Sequence, residues 1–138
     1  MRPSIIISPD VDLARSLNAV LEELGQAGGA RIVDSYPTAS ELSRLLRSHA
    51  LEIIFINVES MEKSAEITSF VDQQVPGVQF IAIHRNADPQ VLLETMRSGV
   101  REFLTAPFEK QLVAEAMTRA YEQLEKRPPE HKITDQVF

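Results

Sequence analysis

Short apolar runs alternate along this chain with longer segments in which apolar residues recur at helical spacing. The strongest run, 51–58, has almost no polar interruption, which is typical of a strand buried on both faces at the centre of a parallel sheet. Four shorter runs are predicted as the other strands, at 4–8, 30–35, 78–84 and 101–105. A predicted helix follows each strand, and right-handed crossovers then require a doubly wound parallel α/β sheet with helices on both faces.

Local sequence signals predict where the helices begin and end. The segment 38–41 reads as a capping box, and Asp88 before Pro89 predicts a helix that ends at Gly99. Pro107 is predicted to open the last helix. The residues predicted to face inward from that helix are Leu112, Val113, Ala116, Met117, Ala120 and Leu124. This succession of βα units matches the flavodoxin-like arrangement, with strand order 2-1-3-4-5.

The composition limits the class of protein. A length of 138 residues suits one domain, and 43% hydrophobic with 25% charged residues is typical of a soluble globular chain. The absence of cysteine excludes a disulfide scaffold and a thiolate metal site. A net charge of −6 argues against nucleic acid or anionic lipid as a main partner. We therefore expect a soluble, cytoplasmic protein with no nucleic-acid partner and no direct membrane insertion.

The character of the sequence changes after Lys126. Residues 127–132 are charged and contain two prolines, which predicts a linker, whereas 133–138 turn apolar again. Two interpretations are open for this end: a frayed terminus, or the first strand of a following domain in a longer native chain. We therefore divide the chain into a folded domain, 1–126, and a linker or tail, 127–138.

Ligands of an open parallel sheet bind at the carboxyl ends of its strands. The residues predicted at this rim are Ser8, Pro9, Asp10, Asp12, Asn57, Glu59, His84, Thr105, Ala106 and Pro107. No P-loop run occurs, and Gly28-Gly29 precedes a strand instead of following one as a dinucleotide fingerprint requires. A proline and two carboxylates after the first strand would repel a flavin phosphate. The rim therefore predicts no nucleotide cofactor.

Three segments of the chain resemble the receiver domain of two-component response regulators. They are Pro9-Asp10, the strand 53–57, and Gly99–Phe108, which is close to the family's G-A-x-x-[YF]-L-x-K-P-F stretch. The resemblance covers nearly all of residues 3–125 and implies a CheY-like fold. It also implies a cis peptide bond before Pro107.

Receivers use an acidic pair after the first strand, an aspartate phosphoacceptor ending the third, a hydroxyl ending the fourth and a lysine after the fifth. By resemblance these positions fall on Pro9, Asp10, Asn57, His84 and Ala106, so Asp10 alone is kept. The neutral amide of Asn57 cannot act as the nucleophile, and Ala106 supplies no cation. Asp10 alone is a weak ligand for Mg²⁺. We therefore expect a pseudo-receiver with a vestigial phosphoacceptor pocket, no catalytic residue, no metal and no cofactor.

A receiver without a reactive site can still present a surface. In the family, the fourth helix, fifth strand and fifth helix mediate dimer and effector contacts, and the residue at Phe103 is the switch aromatic. The polar residues predicted on this face are Gln90, Glu94, Arg97, Arg101, Glu102, Lys110, Gln111, Glu115, Thr118, Arg119 and Glu122. Their mixed charge suits homodimerisation about a two-fold axis. The alternative is an ordinary solvated face with helix pairs such as Glu115 with Arg119. We expect Phe103 to be fixed in one packing.

The stretch 101–108 and the linker also resemble the N-terminal domain of CpaE/TadZ-type ATPases of Flp pilus assembly. In that family a receiver-like domain precedes a ParA/MinD-like ATPase and is associated with dimerisation and polar localisation. The resemblance predicts a non-enzymatic, non-phosphorylatable interaction module in signal transduction or pilus-assembly localisation. The tail 127–138 would then lead into the ATPase domain.

Other functions stay open at this point. A working receiver in a phosphorelay could accept phosphate on another carboxylate, such as Glu59 or Asp10. A small enzyme could use Asp10 and His84 as acid and base, and Asp10, Asp12 and Glu59 could rebuild a metal site. Simpler structural roles compete with these: Asp10 as a helix N-cap, Asn57 bonded to loop amides, and His84 as a packed strand-end residue.

Overall fold

The computed structural model describes residues 3–25 and 29–131. Within these residues, five strands alternate with five helices. The elements are β1 (Ser4–Ile7), α1 (Val11–Glu23), β2 (Arg31–Val33), α2 (Ala39–His49), β3 (Ile53–Asn57), α3 (Met61–Gln74), β4 (Gln79–His84), α4 (Pro89–Arg97), β5 (Glu102–Thr105) and α5 (Lys110–Lys126). All strand pairs are parallel, and the sheet order is β2-β1-β3-β4-β5. The flavodoxin-like arrangement predicted from the sequence is confirmed.

Strand β3 lies at the centre of the sheet, between β1 and β4, and all of its residues are buried. Successive side chains point to opposite faces. Ile53 and Phe55 pack with residues of α1 and α5, whereas Ile54 and Ile56 pack with residues of α2 and α3. The uninterrupted apolar run of this strand is therefore explained by burial on both faces, as predicted.

The predicted helix caps at α2 and α4 are present. The Glu41 backbone N–H donates to Thr38 Oγ1 at 3.2 Å, and the Thr38 N–H donates to Glu41 Oε1 at 2.8 Å. Asp88 Oδ1 accepts from the Gln90 N–H at 2.9 Å, with Pro89 in the first turn. Helix α4 ends just before Gly99, whose φ of 99° is readily adopted by glycine.

Helix α5 differs from the prediction at its beginning. It starts at Lys110, and Pro107 lies in the preceding loop, because the chain uses residues 106–109 to turn from β5 onto the face of the sheet. Leu112 is 49% exposed instead of buried. It lies one residue, about 100° around the helix, from Val113, which begins the buried stripe. The Ala106–Pro107 bond is cis, as the resemblance implied.

The described part of the predicted linker, 127–131, lies against the amino-terminal end of the sheet. The Glu130 N–H donates to the Pro76 carbonyl at 3.4 Å, and His131 Nε2 lies 3.0 Å from the Leu51 carbonyl oxygen. The apolar end of the sequence, 133–138, lies outside the described residues. Across residues 3–25 and 29–131, no helix is both long and apolar enough to cross a membrane.

Candidate functional site

The carboxyl ends of β1 and β3 bring Ser8, Asn57 and Glu59 into one hydrogen-bonded group. Asn57 is 1% exposed, and its Nδ2 donates to Ser8 Oγ at 2.9 Å and to Glu59 Oε1 at 3.1 Å. Its Oδ1 accepts from the Glu59 backbone N–H at 2.7 Å. Ser8 Oγ in turn donates to the Asp10 carbonyl at 2.9 Å. The amide therefore serves as both donor and acceptor, and a carboxylate at this position could not donate to Glu59.

Tyr36 reaches the same strand end from the loop after β2. Its hydroxyl donates to the Asn57 carbonyl at 2.7 Å and lies 3.3 Å from the Ser60 backbone N–H, which donates to it. Burial raises the pKa of Tyr36 to about 12. The sequence analysis missed this residue. The available signal was an aromatic residue directly after a strand, at the edge where the other rim residues were predicted.

Asp10 is the N-cap of α1, because its Oδ1 accepts from the Leu13 N–H at 3.1 Å. It also forms a bidentate ion pair with Arg85, the first residue after β4. Arg85 Nη2 donates to Asp10 Oδ1 at 2.8 Å, and Arg85 Nε donates to Oδ2. The hydrogen bond from Arg85 holds the pKa of Asp10 below its ordinary value. Arg85 was also missed, although its place at the carboxyl end of β4, close to Asp10 across the rim, was a usable signal.

His84 and Ala106 make other contacts. His84 Nδ1 lies 2.9 Å from the Asn86 carbonyl oxygen and 3.2 Å from the Asn86 nitrogen, so the ring bonds to its own loop. The Ala106 N–H donates to the His84 carbonyl at 3.1 Å, and the Ala106 side chain packs against the core beneath α1 and α5. Pro9 is exposed. Asp10 and His84 thus pair with different groups in the described structure, and the acid–base pair considered from the sequence is not formed there.

The oxygen atoms at the rim do not fit Mg²⁺, the metal that receiver domains use. This ion requires oxygen ligands in near-octahedral array. Both Asp10 oxygens accept from Arg85, and Asn57 Oδ1 already accepts from Glu59. Among the residues that the structure describes, no group of three or more His, Asp or Glu could hold a metal ion. Asp10, Asp12 and Glu59, considered from the sequence as a metal site, do not form such a group in this part of the chain.

The second candidate site is the face of α4, β5 and α5. The large hydrophobic side chains exposed in the described part of the chain all lie on the two helices of this face, and are Leu92, Leu93, Met96 and Leu112, at 38–57% exposure. We call these four residues the apolar patch. The sequence analysis named the polar residues of this face and missed the patch. The signal was a nine-residue helix with apolar residues around more than one side.

The charged residues of this face pair differently from the prediction. Arg119 forms a bidentate pair with Glu102 on β5, with Nε to Oε2 and Nη2 to Oε1 both 2.8 Å. Glu115, the helix partner suggested by the sequence, instead accepts from Gln111 at 3.2 Å. The reason is geometric, because a carboxylate on the adjacent strand presents both oxygens to the planar guanidinium. Leu112 lies two helical turns before Arg119, and so on the side of α5 that is turned toward β5.

The remaining predicted residues of the face have simple positions. Gln90 Nε2 donates to Glu94 Oε1 at 3.3 Å, and Thr118 Oγ1 donates to the Ala114 carbonyl at 2.9 Å. The other predicted polar residues are exposed, and are Arg97, Arg101, Lys110 and Glu122. Phe103 is partly buried and packs against the cluster of Val58, Ala82 and Val100.

With this geometry in view, the fold is that of a CheY-like receiver domain. No protein-family model matches the chain, and no curated protein matches it. Solved structures do match the chain, and they include response regulators and a signal receiver domain of an HD domain-containing protein.

The similar structures include CpaE/TadZ pilus assembly proteins. A protein of Burkholderia pseudomallei described as related to pilus assembly is 25% identical, with 89% of this chain and 91% of that chain covered and a TM-score of 0.65. The pilus assembly protein CpaE of Burkholderia thailandensis is 25% identical over 88% and 99%, with a TM-score of 0.66. The CheY-like protein TadZ of Pseudomonas aeruginosa is 20% identical over 87% and 94%, with a TM-score of 0.65.

Proposed function

We propose that this chain is a cytoplasmic, non-enzymatic receiver-like module that pairs with a second copy of itself through α4, β5 and α5, without phosphorylation. The observation that carries the proposal is the apolar patch. Leu92, Leu93 and Met96 form one side of α4, and Leu112 stands on α5 across the edge strand. The three residues of α4 are neighbours at helical spacing, and an exposed apolar cluster on a surface marks a protein interaction site.

A second copy is the partner that the charges around the patch favour. Residues of both signs surround it, including Arg97, Arg101, Glu94, Glu115 and Glu122. In a two-fold pair, each residue faces a different residue of the other copy, so a surface with both signs can complement itself. A partner carrying a single sign of charge would meet repulsion on part of this face.

The rim supports independence from phosphate. A neutral amide occupies the phosphoacceptor position, and its hydrogen bonds to Ser8 and Glu59 depend on its being an amide. Ala106 supplies no positive charge for a transferred phosphoryl group. The alternative, a receiver phosphorylated on Glu59 or Asp10, requires one of these carboxylates to leave its present hydrogen bonds.

Mass measurement in solution tests the dimer. We expect sedimentation of the purified chain to give a dimer, and L92E/M96E to give a monomer with an unchanged circular dichroism spectrum. A matched control is A19E, which adds a carboxylate at an exposed position of α1, away from this face. A monomeric wild-type protein at high concentration, or a dimeric L92E/M96E variant, contradicts the proposal.

Incubation with a small phosphodonor and Mg²⁺, followed by intact-mass analysis, tests the absence of phosphorylation. We expect no added phosphoryl group and no change in the dimer. An added phosphoryl group on Glu59 or Asp10 would establish the working receiver instead.

The pilus-assembly neighbours favour one cellular setting for the module. Two of them, both 25% identical over most of their length, are described by their part in pilus assembly. We propose that the dimer serves localisation of a pilus-assembly component. In cells that make pili, L92E/M96E should disperse a fluorescent fusion of the full-length protein, whereas A19E should leave its position unchanged.

A further inference from the structure

We propose that Arg85 is a built-in counter-ion of the rim, whose guanidinium takes the place of a divalent cation and excludes such ions from Asp10. The inference deepens the proposed phosphate-independent function, on which it rests. It gives a reason, specific to this chain, for the expectation that the rim does not bind a divalent metal ion.

The geometry of the pair carries the inference. Arg85 donates through Nη2 and Nε to the two different oxygens of Asp10. The Leu13 N–H takes a further position on Oδ1, at 3.1 Å. A metal ion at this carboxylate would have to displace the guanidinium from both oxygens, because a bidentate pair leaves neither oxygen open on the side that faces the rim.

The charge around Arg85 supports the same conclusion. Asp12 and Glu59 also act electrostatically on its guanidinium, in addition to Asp10. One fixed cation therefore stands among three carboxylates at the carboxyl edge of the sheet. Without Arg85, these carboxylates would leave a locally negative rim, and such a surface raises the local concentration of cations.

Arg85 also has the advantage of attachment to the chain. It follows β4 directly, and Asp10 follows β1, so the pair connects two loops that the sheet already holds in place. A tethered cation competes with a free ion at an advantage set by its high effective concentration. The pair is thus expected to compete with a free divalent ion for Asp10.

Nuclear magnetic resonance with Mn²⁺ as a paramagnetic probe tests the inference on the full chain. In the wild-type protein we expect no localised broadening of backbone amide signals at residues 8, 10–13 or 57–60. In R85A we expect broadening confined to these amides, reversed by excess Mg²⁺, with an apparent affinity about tenfold higher or more. The matched control is R97A, an exposed arginine on α4, which should behave like the wild-type protein.

Two further variants separate loss of charge from loss of structure. R85Q keeps a hydrogen-bond donor without the charge and should also admit Mn²⁺, and D10N/R85A should lose the broadening again. Equal broadening at the wild-type rim, or no broadening in a folded R85A and R85Q, overturns the inference. Neither result changes the mass of the dimer, so a failure here is distinguishable from a failure of the proposed function.

Discussion

The carboxyl rim of the sheet and its β5 edge differ in which side chains are left without a partner in the chain: polar groups are bonded at the rim, and apolar groups are exposed at the edge. At the rim, Asn57, Asp10 and Tyr36 are held by hydrogen bonds within the chain. At the edge, the apolar patch faces solvent, and the pair of Glu102 with Arg119 lies beside it. The polar groups of the rim thus have hydrogen-bond partners within the chain, whereas the β5 edge has the exposed apolar composition of an interface.

Under the proposed function, this contrast explains how a receiver fold can be used without receiver chemistry. Asp10 and Asn57, at positions that the receiver resemblance assigns to the phosphorylation site, form hydrogen bonds between the ends of different strands. Because those bonds are internal, the rim offers little free hydrogen-bonding capacity to a ligand. The exposed apolar area at the edge instead offers free energy that only a partner can realise.

The largest expected effect on stability comes from replacing the buried amide of Asn57. In Asn57→Asp, the donors to Ser8 and Glu59 are lost, and a new carboxylate faces the Glu59 carboxylate at a site that is 1% exposed. We expect the free energy of unfolding to fall by about 3 kcal/mol, the upper end for a buried polar group without its partner. Urea unfolding measures this loss, and the dimer interface should be unaffected in the fraction that remains folded.

The double variant N57D/E59Q provides the control for this experiment. The Glu59→Gln change restores a donor opposite the new carboxylate, so part of the lost stability should return. If N57D is as stable as the wild-type protein, then the amide is not the structural centre that the hydrogen bonds indicate.

The next largest effect should come from Tyr36→Phe. Losing the O–H that donates to the Asn57 carbonyl should lower stability by about 1.5 kcal/mol near neutral pH. The pKa of Tyr36 is raised from 10.0 to about 12, so the stability that its O–H provides is complete below pH 10 and is lost as pH rises through 12. Unfolding measured across this range should show an alkaline loss in the wild-type protein that is smaller in Y36F. Tyr121→Phe serves as the control for tyrosine ionisation in general.

The fold could be predicted because its signals are local. The apolar run at 51–58 specifies a central strand by itself, and the capping box at 38–41 specifies a helix start within one turn. The prediction that α5 begins at Pro107 was wrong. The chain needs a loop after β5 to turn onto the face of the sheet, so the helix begins only at Lys110. The prediction that Leu112 faces inward was also wrong. The buried stripe of α5 begins one residue later, at Val113.

The site was only partly predictable because its bonds join distant parts of the chain. The positions of Asp10 and Asn57 followed from strand ends alone. Their partners did not, since Arg85 is 75 residues from Asp10 and Tyr36 is 21 residues from Asn57. The partner of a long side chain depends on which groups the fold brings close to it. Arg119 of α5 therefore pairs with Glu102 on β5 and not with Glu115 on its own helix. The sequence places Tyr36 and Arg85 after strands, and so at this rim, but it does not indicate which groups of the rim they bind.

The smallest effect should come from Asp10, where two roles can be separated by matched variants. Asp10→Ala removes both the N-cap and the ion pair, and should cost about 1 kcal/mol. Asp10→Asn keeps an effective cap and removes only the charge, so its loss should be smaller because exposed ion pairs stabilise little. The pKa of Asp10 is lowered in the folded chain, so the charge contributes stability above the ordinary value of 3.8 and loses it as pH falls through the lower folded value. The difference between wild type and D10N should therefore shrink on acidification below pH 3.8, as followed by urea unfolding. A difference that is the same at neutral and acid pH would show that the Asp10 charge does not stabilise the rim, and the contrast with the β5 edge would then depend on Asn57 and Tyr36 alone.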